Sequence, residues 1–179
     1  MKIRELKQDD AEYMLEWMKD DFVVHDLATD FSKKTIDDCR EFIDYAAGQY
    51  RDLNTSRDIH LAITDDNDEY MGTVSLKDIN RDSHSAEFAI TIRAVAMGKG
   101  YGRFAMDYIL DYGFKNPGLC TNRIFWCVDE RNLRAVRFYD KQGYKKIVPT
   151  KQMQAPYKDI ISAGAVLIWY EVEKDESLF

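Results

Sequence analysis

Three glycines stand at alternate positions in the segment AMGKGYGRFAMDYIL, residues 96–110: Gly98, Gly100 and Gly102. Glycine allows left-handed backbone conformations and lets the backbone approach a ligand closely. Where such a turn leads into a helix, its N–H groups can converge on an anion, and the helix dipole adds attraction for negative charge. The segment therefore favours a phosphate-binding turn, although a tight turn between a strand and a helix would need the same glycines without a ligand.

The spacing of these glycines distinguishes between phosphate-binding motifs. A Walker loop requires G-x-x-x-x-G-K-[ST], and this segment has neither the four-residue gap nor the Lys-Ser/Thr pair, which disfavours a nucleotide kinase. A dinucleotide fingerprint requires G-x-G-x-x-G, and here the third glycine comes one residue early. Both motifs therefore fit poorly.

Two further polar residues, Asn132 and Tyr139, lie in the helical pattern NLRAVRFYDKQGY. Seven residues correspond to about 700° of helix rotation, so the two side chains lie on nearly the same side, two turns apart. Both can therefore face one elongated ligand. A tyrosine at helical spacing beside Phe138 is also the pattern of a core aromatic.

The elements that must position these residues alternate along the chain without internal repeats. Strand patterns cover residues 1–6, 59–64, 70–77, 85–93, 123–128, 144–148 and 164–173. Helical patterns begin at Asp9 or Asp10, at a T-x-x-D start formed by Thr35 and Asp38, near Gly100 and at Asn132. They end near residues 18, 50 and 113, and at residue 142 before Gly143. Residues 20–31 and 149–163 are predicted to be loops.

The order of these elements indicates the fold class. Strand, glycine turn, helix and strand between residues 85 and 128 form a βαβ unit, so the strands around Ile90 and Phe125 should be parallel neighbours. The turn DDND at residues 65–68 predicts an antiparallel hairpin instead. We expect an α/β (α+β) fold: one domain over residues 1–179 with a mixed sheet of about seven strands, antiparallel at its N-terminal end, and four or so helices.

Charge is distributed unevenly along the chain. The net charge of −7 disfavours a protein that coats nucleic acid. Basic residues concentrate at 93–103 and 131–146, whereas the acids form runs: Asp20, Asp21, Asp26 and Asp30, then Asp37 and Asp38, then Asp65, Asp66 and Asp68. This pattern fits a basic end for an anionic cofactor and an acidic end for a cationic substrate, or simply a solvated mixed surface.

Cysteine usage and hydropathy indicate the compartment. Cys39, Cys120 and Cys127 are odd in number and lack metal-ligand spacing, so neither a disulfide framework nor a metal site is expected. The N-terminus MKIRELKQDD is charged where a secretory signal would be apolar, and no stretch has the length of a membrane span. We therefore expect a cytoplasmic protein without a membrane partner.

The segments AEFAITIRAVAMGKGYG and NLRAVRFYDKQGY together resemble the GNAT superfamily of acyl-CoA-dependent N-acetyltransferases. The branch most like this chain includes ribosomal-protein N-terminal acetyltransferases and amino-sugar acetyltransferases. The family loop Q/R-x-x-G-x-G/A falls on residues 97–102, with Met97 where Arg or Gln is usual, and Ala94 stands where proline is common. The resemblance is specific over residues 85–146 and looser over the order of elements from 1 to 173.

The resemblance implies acetyl-CoA as the cofactor, bound by the core at about residues 85–146. N–H groups of residues 97–102 would bind the coenzyme A pyrophosphate. The side chains of Lys99, Arg131 and Arg134 could meet its phosphates or could equally be exposed to solvent. The strand ending near Ile92 would splay from the strand around Trp126, with the pantetheine arm between them and an N–H polarising the thioester carbonyl. The implied cofactor-binding residues are Ile90, Thr91, Ile92, Met97, Gly98, Lys99, Gly100, Tyr101, Gly102, Arg103, Asn132 and Arg134.

The resemblance also suggests catalytic roles. The residue matching Tyr139 lies close to the coenzyme sulfur, where a phenol can donate a proton as the thiolate departs. Glu87 matches a glutamate that some relatives use as a base, directly or through water, and it could equally be an ordinary charged residue on a strand face or be replaced by a water chain. Cys127 as a covalent nucleophile is less favoured, because no histidine lies near it in sequence. We expect direct transfer, with Tyr139 as general acid and Glu87 as base.

The sequence leaves the acceptor amine open. Residues 20–31, which include His25, the helix after Thr35 and residues 149–163 should contact the acceptor. A small amine such as an amino-sugar or polyamine is expected, and the acidic N-terminal third leans towards a cationic one. The alternatives are a protein N-terminal acetyltransferase and a non-catalytic acyl-CoA sensor. A homodimer is a further expectation.

Overall fold

The alternating apolar segments form one sheet of seven strands in the computed structural model, which describes residues 1–25, 27 and 29–174. The strands are β1 Lys2–Glu5, β2 Ile59–Thr64, β3 Tyr70–Asn80, β4 Ser85–Ile92, β5 Arg123–Asp129, β6 Lys145–Ile147 and β7 Leu167–Glu173. Their order across the sheet is β1-β2-β3-β4-β5-β7-β6. All neighbours are antiparallel except β4 and β5, which confirms the predicted mixed sheet with one parallel pair.

Helices cover both faces of this sheet. They are α1 Asp10–Met18, α2 Asp21–Val24, α3 Ile36–Gln49, α4 Tyr101–Lys115, α5 Leu133–Gln142, α6 Lys151–Gln154 and α7 Lys158–Ser162. Single 3₁₀ turns lie at Ala94–Ala96 and Ala155–Tyr157. The four long helices are the predicted ones, and α3 begins with the expected reciprocal capping of Thr35 and Asp38.

Strand alternation sends two sets of apolar side chains to opposite faces of the sheet. On one face α4 packs on a core that includes Phe88, Ile124 and Trp126. On the other, α1 and α3 pack on a second core with Ala62 and Tyr70. Gly113 permits the close approach of α4, since a Cβ there would lie 2.9 Å from side-chain atoms of Ile124 and Leu76.

Strands β4 and β5 diverge after a short parallel ladder. Ser85, Ala86 and Glu87 pair with Arg123, Ile124 and Phe125, and no further pair follows. Beyond this point β4 continues against β3 as far as Ile92, while β5 continues against β7 as far as Asp129. The facing edges of the two strands therefore carry unpaired backbone groups and enclose a cleft, as the resemblance implied.

Several predicted boundaries and caps are wrong. Helix α1 begins at Asp10 as predicted, with Asp9 as its N-cap residue, but neither side chain caps the helix. The buried Asp10 carboxylate instead pairs with the Arg4 guanidinium at 2.7 and 2.9 Å. Helix α4 does not stop near Gly113 but runs to Lys115, since the glycine serves packing rather than termination.

The two predicted loops contain short helices. Asp20 caps α2 by accepting from the Phe22 N–H at 2.9 Å, and Thr150 caps α6 by accepting from the Met153 N–H at 3.2 Å. Helices of four or five residues are too short to show a helical period in the sequence. Strands β6 and β7 are also shorter than predicted, beginning at Lys145 and Leu167.

Candidate active site

The glycine turn joins β4 to α4 through a 3₁₀ turn. Gly98 and Gly100 both adopt left-handed backbone conformations, with φ of 74° and 91°, and Gly100 is the N-cap of α4. A side chain at either position would be strained. The backbone geometry alone therefore explains two of the three glycines.

Most N–H groups of this turn have no partner within the described residues. Those of Met97 and Lys99 donate to the carbonyls of Ala94 and Ala96 at 3.2 and 3.4 Å, so the expectation that they bind an anion is wrong for these two. In the described part of the chain, those of residues 98, 100, 101, 102 and 103 have no hydrogen-bond acceptor. The first N–H groups of any helix lack intrahelical partners, and here the left-handed glycines extend that set into the turn. Five donors without acceptors at a helix start match what a pyrophosphate requires.

Gly102 tests whether the turn fits such a ligand. Its φ is not left-handed, and a Cβ placed on it would meet no protein atom within 4 Å. Neither conformation nor packing therefore demands glycine, which costs helix stability relative to alanine. A ligand that approaches the backbone at this point would demand it, so the turn fits the cofactor that the resemblance implies.

The basic side chains around the turn have diverse partners. Arg93 is buried and pairs with Glu16 at 2.9 Å and Glu69 at 2.8 Å, so it anchors the end of β4 and is not available to an anion. The Arg103 side chain pairs with Asp107 and Gln142, which leaves the N–H of Arg103 as its contribution to the turn. Lys99 is exposed. The basic end predicted from the charge pattern is therefore smaller than the sequence count suggests.

Met97 and Arg134 close one side of the turn. The Arg134 guanidinium lies 2.8 Å from the Met97 sulfur and 5.2 Å from the centre of the Phe22 ring on α2. The other predicted phosphate ligand on this side, Arg131, pairs with Asp129 at 2.6 Å. Met97, the departure from the family pattern, packs against the core under α1 and α3.

The backbone of Ile90, Thr91 and Ile92 lines the cleft. These residues pair with β3 on one side, and the edge facing β5 has no strand partner. They are half-buried, in contrast to the buried residues 85–88 at the start of β4. An extended ligand can therefore hydrogen-bond this edge as an added strand would.

Asn132 and Tyr139 lie on α5 as the spacing predicts. Asn132 is the N-cap, and its Oδ1 accepts from the Ala135 N–H at 3.0 Å. Its Nδ2 has no acceptor among the described residues, so the amide retains donors for a ligand. The side chain therefore has two tasks: it starts the helix and remains able to bind.

Tyr139 is packed as a core aromatic and still meets the requirement for an acid. Its ring lies 5.3 Å from that of Trp126 and 5.2 Å from that of Tyr170. Burial raises the pKa of the phenol above its usual range, and the nearby Tyr144 and Tyr170 act in the same direction. The hydroxyl therefore stays protonated at neutral pH, as a proton donor must.

Glu87 lies at the point where the cleft opens, in register with Phe125. Its side chain is only 7% exposed. Lys77 Nζ lies 3.1 Å from Oε1, and the Tyr157 hydroxyl donates a hydrogen bond to the same oxygen. A buried carboxylate with two donors is a specific arrangement rather than an ordinary charge on a strand face.

Cys127 lies on β5 two residues after Phe125, and therefore on the same face of the sheet as Phe125. Burial raises the pKa of its thiol to about 12, and the charge of Glu87 contributes to this shift. A thiol of this acidity is almost entirely protonated at neutral pH and is a poor nucleophile. The geometry therefore favours direct transfer over a covalent route through Cys127.

Several of the acidic residues expected to attract a cationic substrate have structural partners instead. Asp38 caps α3, Asp66 pairs with the N-terminal amine, and Asp68 pairs with Arg4 and Lys7. These acids are structural, whereas Asp26 lies outside the described residues. A cavity of about 440 Å³ is lined by Asp21, Asp30 and neighbours from α1 to residue 32, so it lies largely within the range 20–31 expected to contact the acceptor, and none of the predicted catalytic or cofactor-binding residues lines it.

Sequence reasoning placed Tyr157 only within the range 149–163 expected to contact the acceptor and gave it no role of its own. It stands in the segment between β6 and β7, which has no amphipathic period, and nothing in its sequence context signals that its hydroxyl reaches β4, 70 residues away. Among the described residues there is no cluster of three or more metal-ligating side chains. In the same part of the chain, each helix is too short or too polar to cross a bilayer.

Comparison with known proteins gives both family and structural matches. A family model described as an acetyltransferase (GNAT) domain matches residues 1–145. The curated spermidine N(1)-acetyltransferase of Vibrio cholerae serotype O1 is 30% identical over 92 residues, 51% of this chain. The match spans 52% of that relative, about half its length.

Solved structures are similar over nearly the whole chain. The spermidine N-acetyltransferase from Vibrio cholerae in complex with CoA and spermine has a TM-score of 0.74 at 18% identity, covering 99% of this chain and 98% of that one. A probable acetyltransferase has a TM-score of 0.74 at 22% identity, with coverages of 96% and 92%. At these identities the likeness shows the fold.

Proposed function

The chain belongs to the GNAT acetyltransferase family, and on this premise we propose that it transfers an acetyl group from acetyl-CoA to a primary amine of a polyamine, by direct attack. Family membership confirms the resemblance carried by the sequence motifs, together with the N-acetyltransferase class and acetyl-CoA as acyl donor. The observation that carries the proposal is the continuity of the site. The glycine turn follows β4, whose edge at residues 90–92 is unpaired, and Glu87 lies where β4 and β5 separate. Tyr139 packs on Trp126, the residue after the last residue of β5 that pairs with β4.

The cofactor half of the site comes from the segment between residues 85 and 146. Backbone N–H groups of residues 98 and 100–103 would hold the pyrophosphate, and the edge of β4 at Ile90, Thr91 and Ile92 would hold the pantetheine arm. The Nδ2 amide of Asn132 supplies a further donor. When bound, acetyl-CoA supplies a thioester whose carbonyl carbon an amine can attack.

Side chains of this protein would accept the proton of the amine and supply a proton to the departing thiolate. A primary amine is mostly an ammonium at neutral pH and must lose a proton before it has a lone pair. Glu87 is the carboxylate that can accept this proton, and Tyr139 Oη holds the proton that a departing thiolate needs. A main-chain N–H of residues 90–92 would polarise the carbonyl as negative charge develops on its oxygen.

The substrate class is supported by the curated relative, described as a spermidine N(1)-acetyltransferase, although the match covers about half of that protein. A structural neighbour was solved with CoA and spermine. A buried carboxylate at the end of the cleft also suits a cationic amine. A protein N-terminus is the alternative acceptor, and a panel of amines separates the two.

The test is thiol release from acetyl-CoA with spermidine, spermine, an amino-sugar and a peptide with a free N-terminus. We expect release with the polyamines, and a loss of about 10²-fold in kcat for Tyr139→Phe with acetyl-CoA affinity retained. Binding of acetyl-CoA without release by any amine would instead identify an acyl-CoA sensor. Release with the peptide alone would exclude the polyamine assignment.

The proposal includes assembly and location. A spermidine N-acetyltransferase from Vibrio cholerae similar in fold to this chain is described as dodecameric, so we extend the expected homodimer to a homo-oligomer. Cys39, Cys120 and Cys127 are all free thiols, which suits a reducing cytoplasm. Light scattering behind size exclusion measures the assembly, and a monomeric mass would contradict it.

A further inference from the structure

We propose that Tyr157 positions Glu87 for proton transfer, so that the segment between β6 and β7 completes the acceptor half of the site. This inference rests on the proposed function. It assigns a role to a residue that belongs to neither the glycine turn nor α5. Tyr157 acts through Glu87 and is therefore a positioning residue rather than a catalytic one.

The hydrogen-bond pattern at Glu87 is asymmetric. Lys77 from β3 and Tyr157 both bind Oε1, and Oε2 has no hydrogen-bond partner among the described residues. The carboxylate is thus fixed in orientation by one oxygen while the lone pairs of the other remain available. A base that must meet an incoming ammonium needs this combination.

The Tyr157 ring is itself held in place. It packs edge-on against Trp169 of β7, with 5.6 Å between ring centres. Nearby, Met153 is buried, and its sulfur lies 3.7 Å from the Arg123 guanidinium on β5. The segment is therefore anchored to β5 and β7, which lie on one side of the cleft, and from there the phenol reaches Glu87 on β4.

The protonation state of the phenol determines the direction of the hydrogen bond. Burial raises the pKa of Tyr157 far above its usual value, and the negative charge of Glu87 adds to this effect. The hydroxyl therefore remains protonated and donates to the carboxylate. The other titratable or charged groups that face Glu87 are Lys77 from β3 and the Cys127 thiol from β5. Of these, the phenol comes from the segment predicted to contact the acceptor.

Tyr157→Phe removes the donor and keeps the ring. We expect kcat/KM for the amine to fall about tenfold, with KM for acetyl-CoA unchanged. The acidic limb of the pH profile of kcat/KM should move to higher pH, because a hydrogen bond from a phenol favours the ionised form of a carboxylate. A purely structural role for Tyr157 would not move this limb.

The matched control is Tyr45→Phe. Tyr45 also donates to a carboxylate, that of Asp58, but at an exposed position on α3. This variant should keep the wild-type pH profile. If Tyr157→Phe also keeps the wild-type profile and the wild-type KM for the amine, the inference is wrong.

A second substitution covers the case in which the phenylalanine variant does not fold. In 3-fluorotyrosine at position 157 the phenol is a stronger donor on a nearly unchanged ring, so the limb should move to lower pH. An unmoved limb would overturn the inference. If the wild type releases no thiol with any amine, the proposed function fails by itself. In that case the carbon-13 shift of the Glu87 carboxyl against pH, compared between wild type and Tyr157→Phe, decides the positioning role, with coincident titrations overturning it.

Discussion

The ring of Tyr139 lies 5.3 Å from the ring of Trp126, at the place where β5 leaves β4. The phenol is therefore part of the aromatic core, yet its hydroxyl has no hydrogen-bond partner among the described residues. Core packing and proton donation are thus compatible at one position. The packing buries the phenol, and this burial raises its pKa further above neutrality.

Gly102→Ala should separate stability from cofactor binding. Alanine favours the helix, so we expect the free energy of unfolding to rise by about 0.5–1 kcal/mol and Tm by about 2–4 °C. The added methyl group would occupy the space in front of the N–H groups, so acetyl-CoA should bind about tenfold more weakly. Differential scanning calorimetry measures the Tm, and isothermal titration calorimetry measures the acetyl-CoA affinity.

Gly48→Ala is the control for this substitution. Gly48 lies in α3, and a Cβ there also meets no atom within 4 Å. It should give a similar gain in stability with unchanged acetyl-CoA affinity. Equal affinities for the two variants would contradict ligand binding at the glycine turn.

Cys127→Ser should retain activity within about threefold, since a buried thiol with a pKa of about 12 is not expected to carry the acetyl group. In the native protein, a thiol reagent at about pH 8 should modify the exposed Cys120 first and Cys127 slowly. Steady-state thiol release and labelling followed by mass spectrometry measure these rates. A loss of activity near 10²-fold in the serine variant would indicate a covalent route instead.

His60 should make the protein sensitive to acid. It is buried against the ring of Phe42, and this burial lowers its pKa to about 4. Of the smaller effects, the charge of Asp58 raises the pKa and that of Lys77 lowers it. The folded state therefore resists protonation that the unfolded state accepts below about pH 6.5, so stability is lost as the pH falls. Between about pH 7.5 and 5 this single group should lower the free energy of unfolding by about 2 kcal/mol.

The measurement is urea unfolding of the wild type and of His60→Asn at both pH values. Between about pH 7.5 and 5, the free energy of unfolding of His60→Asn should fall by about 2 kcal/mol less than that of the wild type. His84→Gln, at an exposed position, should behave as the wild type. Parallel losses in the wild type and in His60→Asn would show that this imidazole is not the source.

Local patterns predict much of the fold and the positions of the candidate cofactor-binding residues within it. Alternation in β4, the glycines at 98, 100 and 102, and the cap at Asn132 are properties of neighbouring residues, so their positions follow from the sequence. Glu87 was a candidate for the same reason. Its partners were not predictable, because Lys77 and Tyr157 meet it only after β3 and the segment before β7 have folded against β4. Arg93 was misjudged on similar grounds, since its partners Glu16 and Glu69 come from distant elements.

The brevity of the parallel ladder between β4 and β5 has a mechanical consequence. Three register pairs join a half-sheet of four strands to a half-sheet of three, so backbone hydrogen bonding across this seam is sparse. The β4 edge at residues 90–92 would hold acetyl-CoA in this cleft, and contacts of the bound cofactor with β5 as well would link the two half-sheets. Binding of acetyl-CoA should therefore raise the Tm of the whole domain and slow its amide hydrogen exchange. While it is bound, the acyl donor contributes to the stability of the fold itself.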